Sequence, residues 1–182
     1  MPNKVAVEEY LTLDQIAGQR TEFYDGIIYN LPITNPAHNL IKSNCSAEIG
    51  LAIKGTRSHS YSTTQRISIT DMKFYGYPDI LVVGGKNEYD HLDENTITNP
   101  TLICEVYTEQ SAFWDREIKL KVYQSSPTLK EYMLVNSNKM EIQIWRKMDE
   151  SLWQLFDVQD TVDLYSVGIS VRSADIYMKT EL

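Results

Sequence analysis

Two acidic residues and a lysine occupy positions where a charged side chain destabilises the fold unless it has a chemical role. Asp79 opens the apolar run 80–83, and Glu105 lies inside a second apolar run, 101–107. An ionised carboxylate in a buried strand is unfavourable unless it is paired or binds a metal. Lys119 lies in the next predicted helix. Such a set indicates a divalent-metal site suited to phosphodiester cleavage.

The metals that this set favours are Mg²⁺ and Mn²⁺, because both prefer hard oxygen ligands. Side chains alternate along a strand, so Glu105 shares one face with Ile103 and Tyr107. If the strands of Asp79 and Glu105 are neighbours, both acids can point into one cleft. Lys119 would lie at the edge of the buried face of its helix, with its stem covered and its amine in that cleft.

Each candidate also has a structural interpretation. Glu22 could complete the metal shell or bind its water, but it could equally be a surface acid on an edge strand, since glutamate is mostly exposed. Asp79 alone would be structural in most proteins, because proline and aspartate commonly stand where strands begin. Glu105 could form a buried salt bridge with Lys119 or Arg116 that has no catalytic role.

The remaining reactive side chains indicate no second chemistry. His38 follows a proline-containing loop and is either a helix-start residue or a further catalytic group. His59 and His91 have no ligand partners at metal spacing. Cys45 and Cys104 lie in apolar contexts and are interpreted as small buried hydrophobes in a reducing compartment. The sequence also lacks the P-loop, dinucleotide-binding and serine-hydrolase motifs.

Length and composition favour one domain spanning residues 1–182. Lys and Arg number 17 against 25 Asp and Glu, which gives a net charge of −8. This surplus of acid argues against a large, non-specific nucleic-acid surface. It does not exclude a nuclease, because acids that hold a metal add negative charge and the bound cation reverses the local field. No secretory signal or membrane-length apolar run is visible, so we expect a cytoplasmic location and no membrane partner.

The first part of the chain is predicted to contain two helices and a hairpin. In order, the elements are a short helix, two strands, a loop and a longer helix, at 12–17, 21–24, 27–29, 30–37 and 38–54. A capping box from Thr12 to Gln15 marks the start of the short helix, and Gly18 would end it. Asp25 followed by Gly26 is a strong hairpin signal.

The remainder is predicted to be mostly strands around one helix. The strands lie at 61–69, 78–83, 101–107, 130–135, 140–145 and 152–156, and 166–182 adds a short strand and a terminal helix. In the helix over 111–123, Trp114, Ile118 and Val122 should face the sheet. The polar segment 86–99 is either a lid or partner-binding segment or a flexible hairpin tip. The whole pattern predicts an α+β fold in which helices flank a mixed β-sheet.

Three motifs follow one another in order along the chain. They are Tyr-Pro-Asp-Ile-Leu-Val-Val at 77–83, Asn-Pro-Thr-Leu-Ile-Cys-Glu-Val at 99–106, and a segment over 115–135. With Thr-Glu-Phe-Tyr-Asp-Gly at 21–26 and His38, they resemble the Uma-type family. This is a bacterial group of restriction-endonuclease-like proteins with the PD-(D/E)xK nuclease fold. The resemblance covers roughly residues 11–145, and it implies a restriction-endonuclease-like mixed sheet flanked by helices.

The resemblance also implies which residues form the site. The family pattern carries over to Glu22, Asp79 and Glu105 as acids. The lysine of the motif normally lies two residues after the second acid, where this chain has Tyr107. The resemblance implies that Lys119, on the following helix, takes its place.

The resulting prediction is a Mg²⁺- or Mn²⁺-dependent endonuclease that acts on DNA. Asp79 and Glu105 would bind the metal, Lys119 would position the nucleophile or stabilise the transition-state charge, and Glu22 would assist. The alternative is an interaction module in which the same acids form a structural network, which the net charge and Tyr107 favour. By analogy with nucleases that cut both strands, a homodimer is also expected.

Overall fold

A computed structural model describes residues 4–31 and 34–182, so the predicted loop over 30–37 lies partly outside the described residues. The helical elements are α1 (Val7–Ile16), α2 (Pro36–Ala52), a 3₁₀ turn (Thr70–Met72), a π-helical segment (Trp114–Lys119), α3 (Leu120–Gln124) and α4 (Ser173–Ile176). The strands are β1 (Thr21–Tyr24), β2 (Ile27–Asn30), β3 (His59–Ser62), β4 (Ile67–Ile69), β5 (Phe74–Gly76), β6 (Ile80–Val83), β7 (Leu102–Tyr107), β8 (Glu131–Asn136), β9 (Ile142–Lys147), β10 (Trp153–Val158), β11 (Thr161–Leu164) and β12 (Ile169–Arg172).

Six strands form the main sheet, in the order β10-β9-β8-β7-β6-β3. β7 and β8 pair in parallel, and every other pair of adjacent strands in this sheet is antiparallel. A parallel pair needs a crossover connection, and the π-helical segment followed by α3 supplies it. β6, which Asp79 directly precedes, and β7, which contains Glu105, are neighbours, as the shared cleft requires.

Four shorter strands form a second, antiparallel sheet in the order β2-β1-β5-β4. β1 and β2 form the predicted hairpin, and its turn residues Asp25 and Gly26 have φ angles of 44° and 88°. Two successive positive φ angles fit the type I′ turn that Asp-Gly favours. β1 lies between β2 and β5, so the interpretation of Glu22 as an acid on an edge strand is wrong.

α2 covers one face of the main sheet with an apolar stripe. Ile41, Cys45 and Ile49 recur every four residues and are fully buried, and they pack in one core cluster with Leu102 and Cys104 of β7. Asn35 caps this helix, since its side chain accepts a hydrogen bond from the His38 amide at 2.8 Å. The stripe fixes which side of α2 faces the sheet.

The small sheet and α3 cover the opposite face of the main sheet. Ile103 and Tyr107 of β7 belong to this second core cluster, together with Tyr123 of α3 and Phe74 of β5. The predicted alternation along β7 is therefore confirmed. Glu105 lies on the same face as these residues, beneath the crossover helix.

The start of the first helix differs from its prediction. α1 begins at Val7, several residues before the predicted capping box. The Thr12 hydroxyl instead donates to the Glu8 carbonyl at 2.9 Å, a bond within the helix. A Thr-x-x-Gln pattern fits a helix interior as well as a cap, which is why the start was misplaced.

One predicted strand is two strands in different sheets. The span 61–69 contains the end of β3, an edge of the main sheet, and all of β4, an edge of the small sheet. β5 and β11 have no counterpart among the predicted strands. The three strands of the C-terminal meander, β8 to β10, and the final strand and helix are confirmed.

The crossover helix contains a π-helical segment that the sequence does not predict. Asp115 and Lys119 are buried there, whereas Ile118 is only half-buried. The prediction that Ile118 faces the sheet is therefore wrong, and Val122 is fully buried as predicted. π segments are rare and frequently occur at functional sites. Among the residues that the structure covers, no helix is long and apolar enough to cross a membrane.

Candidate active site

The acids of the two neighbouring strands hold each other through backbone amides. β6 and β7 pair Ile80 with Cys104, so Asp79 and Glu105 occupy the next opposed positions. The Asp79 amide donates to Glu105 Oε2 at 3.2 Å, and the Val106 amide donates to Asp79 Oδ2 at 2.9 Å. These bonds fix the orientation of both carboxylates. The structure thus brings together the two residues predicted to bind metal.

Lys119 lies at the centre of the acids. Its Nζ is 2.9 Å from Glu105 Oε1, 2.9 Å from Glu22 Oε1 and 3.4 Å from Asp115 Oδ1. Its side chain is only 5% exposed, and each of these carboxylates is buried as well. The predicted proximity of Lys119 to Glu105 and Glu22 is confirmed, although the lysine lies deeper than the helix edge.

The π-helical segment orients Asp115 and Lys119 together. The two residues are four apart, and both face the sheet. The Asp115 carbonyl, inside this segment, accepts a hydrogen bond at 2.9 Å from the hydroxyl of Tyr132 on β8. Tyr123, one turn later, donates to Glu105 Oε1 at 3.1 Å. The crossover is therefore tied to both β7 and β8 by polar contacts.

Glu22 reaches the site from the small sheet. Its Oε2 accepts a hydrogen bond from the Trp114 indole at 2.7 Å, and the alternative of a surface acid is wrong because the residue is 1% exposed. Gly76 lies beneath it, and a Cβ built there would be 3.1 Å from Glu22 Oε1 and 2.5 Å from Phe74 Cζ. A residue larger than glycine would therefore crowd the carboxylate.

Two residues of α2 complete the cleft. His38 Nε2 donates to the Val106 carbonyl at 2.7 Å and lies 3.8 Å from Asp79 Oδ2, while its Nδ1 has no hydrogen-bond partner within the described chain. Lys42, one turn further along the helix, has its Nζ 3.6 Å from Asp79 Oδ1.

Sequence reasoning singled out His38 but missed Lys42 and Asp115. Each missed residue lies four positions from a candidate, Lys42 from His38 and Asp115 from Lys119. Residues four apart share one side of a helix. That spacing was the signal available in the sequence.

The buried carboxylates outnumber the cations that face them. Desolvation raises the pKa of Glu105 to about 8; Lys119 opposes this shift, while Asp79, Asp115 and Glu22 add to it. Burial likewise raises the pKa of Asp115. Desolvation alone would lower the pKa of Lys119, but Glu105 and Glu22 outweigh it and raise that pKa. One lysine therefore does not neutralise the buried acids, and at neutral pH the Glu105 carboxyl retains a proton unless a further cation binds.

The acids fit a Mg²⁺-type ion as a two-carboxylate site. Within residues 4–31 and 34–182 no group of three or more His, Cys, Asp and Glu side chains is arranged to hold a metal. Mg²⁺, however, is usually bound through one or two carboxylates, with waters and substrate phosphates as its other ligands. Asp79 and Glu105 supply two such carboxylates. The raised pKa of Glu105 supports the fit, since a divalent cation would take the place of the proton on that carboxyl group.

The cleft above these residues is small. Its volume is about 150 Å³, and Glu22, Asp79, Glu105, Asp115 and Lys119 all line it. Pockets for whole small-molecule ligands typically measure about 300–1,000 Å³. The cleft can therefore receive one small group of a larger molecule together with a few waters, each of which occupies about 30 Å³.

The other residues named from the sequence lie outside this set. The Tyr107 hydroxyl donates to Glu141 and accepts from Arg116, each at 2.9 Å. Among the described residues, no hydrogen bond or salt bridge joins Tyr107 or Arg116 to the Glu105 carboxylate. The alternative of an Arg116–Glu105 salt bridge is wrong, whereas the Lys119–Glu105 pair is present. His59 and His91 do not line the cleft.

Comparison with known proteins identifies the family. A family model named Uma2 and described as "Putative restriction endonuclease" matches residues 7–173. The chain belongs to this family. The Uma2 match confirms the family that the motifs at 77–83 and 99–106 resemble.

Relatives of this Uma2 chain include two proteins from Synechocystis sp. that are described as uncharacterised. One is 28% identical over 176 residues, covering 96% of this chain and 92% of the relative. The other is 27% identical over 150 residues, covering 82% of this chain and 85% of the relative. Both matches extend along most of this chain and most of each relative.

A crystal structure from Anabaena variabilis, described as a putative nuclease belonging to DUF820, has the same fold. The TM-score is 0.75 at 18% sequence identity, and the match covers 97% of this chain and 98% of that one. The predicted restriction-endonuclease-like α+β fold, a mixed sheet flanked by helices, is confirmed.

Proposed function

We propose that this protein is a metal-dependent endonuclease that hydrolyses phosphodiester bonds of DNA. The observation that carries the proposal is the buried ammonium of Lys119 among an excess of carboxylates, 2.9 Å from both Glu22 and Glu105. Burial raises the pKa values of Glu105 and Asp115 beside this lysine, and a bound divalent cation would offset that cost. The Uma2 family description, which names a restriction endonuclease, supports the same reaction class.

In this proposal Asp79 and Glu105 hold Mg²⁺ or Mn²⁺, which supplies a Lewis acid and lowers the pKa of bound water. Lys119 places a positive charge where the attacked phosphate gains negative charge, and its contacts with Glu22 and Glu105 hold it there without reorganisation. Glu22 fixes the lysine and has a second oxygen anchored by Trp114. Tyr123 and the Asp79 amide keep Glu105 in one orientation.

The size of the cleft supports a polymeric substrate. A space of about 150 Å³ can take a phosphate group with its nearest waters, while the sugars and bases remain outside. A soluble metabolite of nucleotide size would need a larger enclosure. A backbone phosphate of DNA meets this requirement because its neighbours extend away along the strand.

The first test is a calorimetric titration of Mg²⁺ and Mn²⁺ into the wild type and Asp79→Ala. We expect a binding isotherm for the wild type that disappears in the variant, because Asp79 supplies one of two ligands. Each titration is repeated with a short DNA duplex present, since substrate phosphates often complete a Mg²⁺ shell. Asp157→Ala is the matched control, since Asp157 is exposed on β10, at the far edge of the main sheet.

Cleavage of plasmid DNA is measured on the same proteins and on Glu105→Ala. Loss of cleavage in Asp79→Ala and Glu105→Ala, with cleavage retained in Asp157→Ala, is the expected result. Unchanged cleavage in the two site variants would reject the proposal. So would the absence of metal binding in the wild type when DNA is present.

A second candidate is an interaction module that uses the same fold without catalysis. The net charge of −8 and the full occupation of Lys119 by buried carboxylates favour it. In that case the acids form a structural network, and Glu105→Gln would lower the stability of the protein without changing any cleavage activity. Stability and cleavage of that variant therefore separate the two candidates.

A homodimer in the cytoplasm belongs to the nuclease proposal. β10 pairs with β9 alone in the main sheet, and Leu155 on it is exposed. A free strand edge can pair with a second copy of the same chain. Analytical ultracentrifugation should give twice the mass of the chain, and a monomer at all concentrations would reject the dimer.

A further inference from the structure

We propose that Lys42 binds a backbone phosphate of the nucleic-acid substrate at the mouth of the cleft. The inference rests on the proposed function and assigns to α2 a role that neither the motifs nor the two predicted metal ligands suggest. It starts from an electrostatic difficulty. Glu22, Asp79, Glu105 and Asp115 line the cleft, so a phosphate that enters it is repelled unless a cation is available to receive it.

Lys119 is not available for that contact. Its ammonium lies within 3.4 Å of three carboxylates, and its side chain is 5% exposed. Moving it toward the surface would leave buried carboxylates without their cation, which costs about 3–5 kcal/mol in comparable buried pairs. Lys119 therefore acts only on groups that have already entered the cleft.

Lys42 has the opposite properties. Its side chain is 22% exposed, and it lines the cleft beside Asp79. The distance of 3.6 Å from Nζ to Asp79 Oδ1 is longer than the 2.7–2.9 Å of a charge-assisted hydrogen bond. Its ammonium makes no hydrogen bond to any residue in the described ranges, so its donors are free for an incoming oxygen.

The helix holds Lys42 at a fixed place. Ile41 and Cys45 on either side of it along the chain are fully buried against the main sheet. His38, one turn earlier, is anchored to the Val106 carbonyl. The stem of Lys42 therefore starts from a fixed position on the helix next to Asp79, and the side chain is 22% exposed. A phosphate bound there would lie beside the proposed metal ligand.

The test measures binding of a short fluorescent DNA duplex by anisotropy, with Ca²⁺ as the hard oxygen-binding cation, across a series of salt concentrations. The variants are Lys42→Gln and Lys42→Met, which remove the charge, and Lys42→Arg, which keeps it. Lys54→Gln is the matched control, since Lys54 is exposed just beyond the other end of α2. Thermal unfolding of every variant checks that it is folded, and the methionine variant retains the apolar stem.

We expect Kd to rise about tenfold in both neutral variants, the value of one hydrogen bond to a charged group. The slope of log K against log salt should become shallower by about 0.9, since one duplex phosphate contact is lost. Lys42→Arg should restore both quantities, and Lys54→Gln should change neither. In cleavage assays KM should rise with kcat nearly unchanged, because this contact is made before the reaction.

Three results would overturn the inference. Equal slopes for the wild type and Lys42→Gln, with cleavage intact, would reject the phosphate contact and leave the nuclease proposal standing. Weaker metal binding by Lys42→Gln without DNA would mean that Lys42 only positions Asp79. A wild type that binds no DNA at any salt concentration would reject both proposals together.

Discussion

Two buried cations in this protein face carboxylates in different ways. Arg66 contacts Asp14 at 2.6 Å and Asp93 at 2.5 Å, and its Nε donates to Thr96 at 2.9 Å. Lys119 contacts carboxylates at similar distances. The arginine cluster joins α1, the residue just before β4 and the segment 86–99, whereas the lysine cluster lies in the cleft.

The pKa values of the acids separate the two clusters. Desolvation acts to raise the pKa of Asp93, but hydrogen bonds from Thr96, Arg66 and the Asn95 amide outweigh it and hold the pKa at about 2. Desolvation also raises the pKa of Glu105, and there Lys119 does not compensate, so the pKa is about 8. Arg66 also faces two carboxylates, but the hydrogen bonds keep Asp93 ionised, so this cluster stabilises the fold. In the lysine cluster the charged form of Glu105 remains unfavourable, so that cluster can bind a further cation.

The comparison also explains the long polar segment 86–99. Asp93 and Thr96 are buried against Arg66, and the Ile97 amide donates to the Arg66 carbonyl at 3.0 Å. This packing contradicts the flexible hairpin tip. None of the residues that line the cleft belongs to the segment, so the lid interpretation has no support in the structure.

The largest effect on the free energy of unfolding is expected when Arg66, the cation of the arginine cluster, is replaced. Arg66→Met should lower the free energy of unfolding by about 3–5 kcal/mol, because Asp14 and Asp93 would remain buried without it. Urea denaturation measures the change. Cleavage per folded molecule should be unaltered, and Lys4→Met, at an exposed pair with Asp25, is a control expected to have little effect. A stable Arg66→Met would refute the structural assignment of this cluster.

Removing the charge of Glu105 should have the opposite pattern, a loss of cleavage without a loss of stability. Glu105→Gln should reduce cleavage by about 10²–10³-fold, comparable to the loss of one preorganised electrostatic group. Its stability at neutral pH should not fall, because the carboxylate is unfavourable in the folded state when its pKa is raised. Cleavage assays and urea denaturation on the same preparation test both parts. Strong destabilisation would support the interaction module instead.

The loss of stability at acidic pH should come from the arginine cluster. The folded pKa of Asp93 is about 2 and its ordinary value is 3.8, so its contribution is present above about pH 4 and is lost as pH falls toward 2. Asp93→Asn should flatten the decline of stability over that window, measured by urea denaturation at successive pH values. Glu94→Gln, at an exposed neighbour, should leave the decline unchanged. An equal decline in Asp93→Asn would contradict the assignment.

The smallest effect on stability and cleavage is expected from substituting Gly76, which lies beneath the lysine cluster. Gly76→Ala would place a Cβ 3.1 Å from Glu22 Oε1 and displace the Phe74 ring, so stability should fall by about 1 kcal/mol. Cleavage should fall roughly tenfold, equivalent to about 1.4 kcal/mol, because Glu22 holds Lys119. Gly50→Ala is the control, since nothing lies within 4 Å of a Cβ there. Full cleavage in Gly76→Ala would show that Glu22 tolerates displacement.

Much of the lysine cluster could be predicted from the sequence, and little of the arginine cluster could. Glu105 was recognisable because an acid interrupts a run whose other residues are apolar, and the structure pairs β7 with β6 as that pattern required. Arg66, Asp14 and Asp93 lie in polar surroundings, where a buried charge does not differ from a solvated one. Their contacts join positions 14, 66 and 93, and no local sequence pattern predicts contacts between residues so far apart in the chain.

The missed local features have local reasons. The π-helical segment was not predicted because the apolar spacing of 111–123 fits an ordinary α-helix. The break between β3 and β4 was missed because alternation in 61–69 is weak, so periodicity could not mark where one strand ends. The Thr-x-x-Gln pattern at Thr12 predicts a helix cap, but the same pattern also occurs inside helices, as it does here.

The crossover between β7 and β8 also has a consequence for how the protein is made. Lys119 is brought to Glu105 by a helix that is tied down through Tyr132, on a strand that ends at Asn136. A growing chain that has not yet extended past that strand has no partner for this bond. We therefore expect unfinished chains to carry the acids without an organised lysine, so that the proposed nuclease site is complete only after synthesis has passed the crossover.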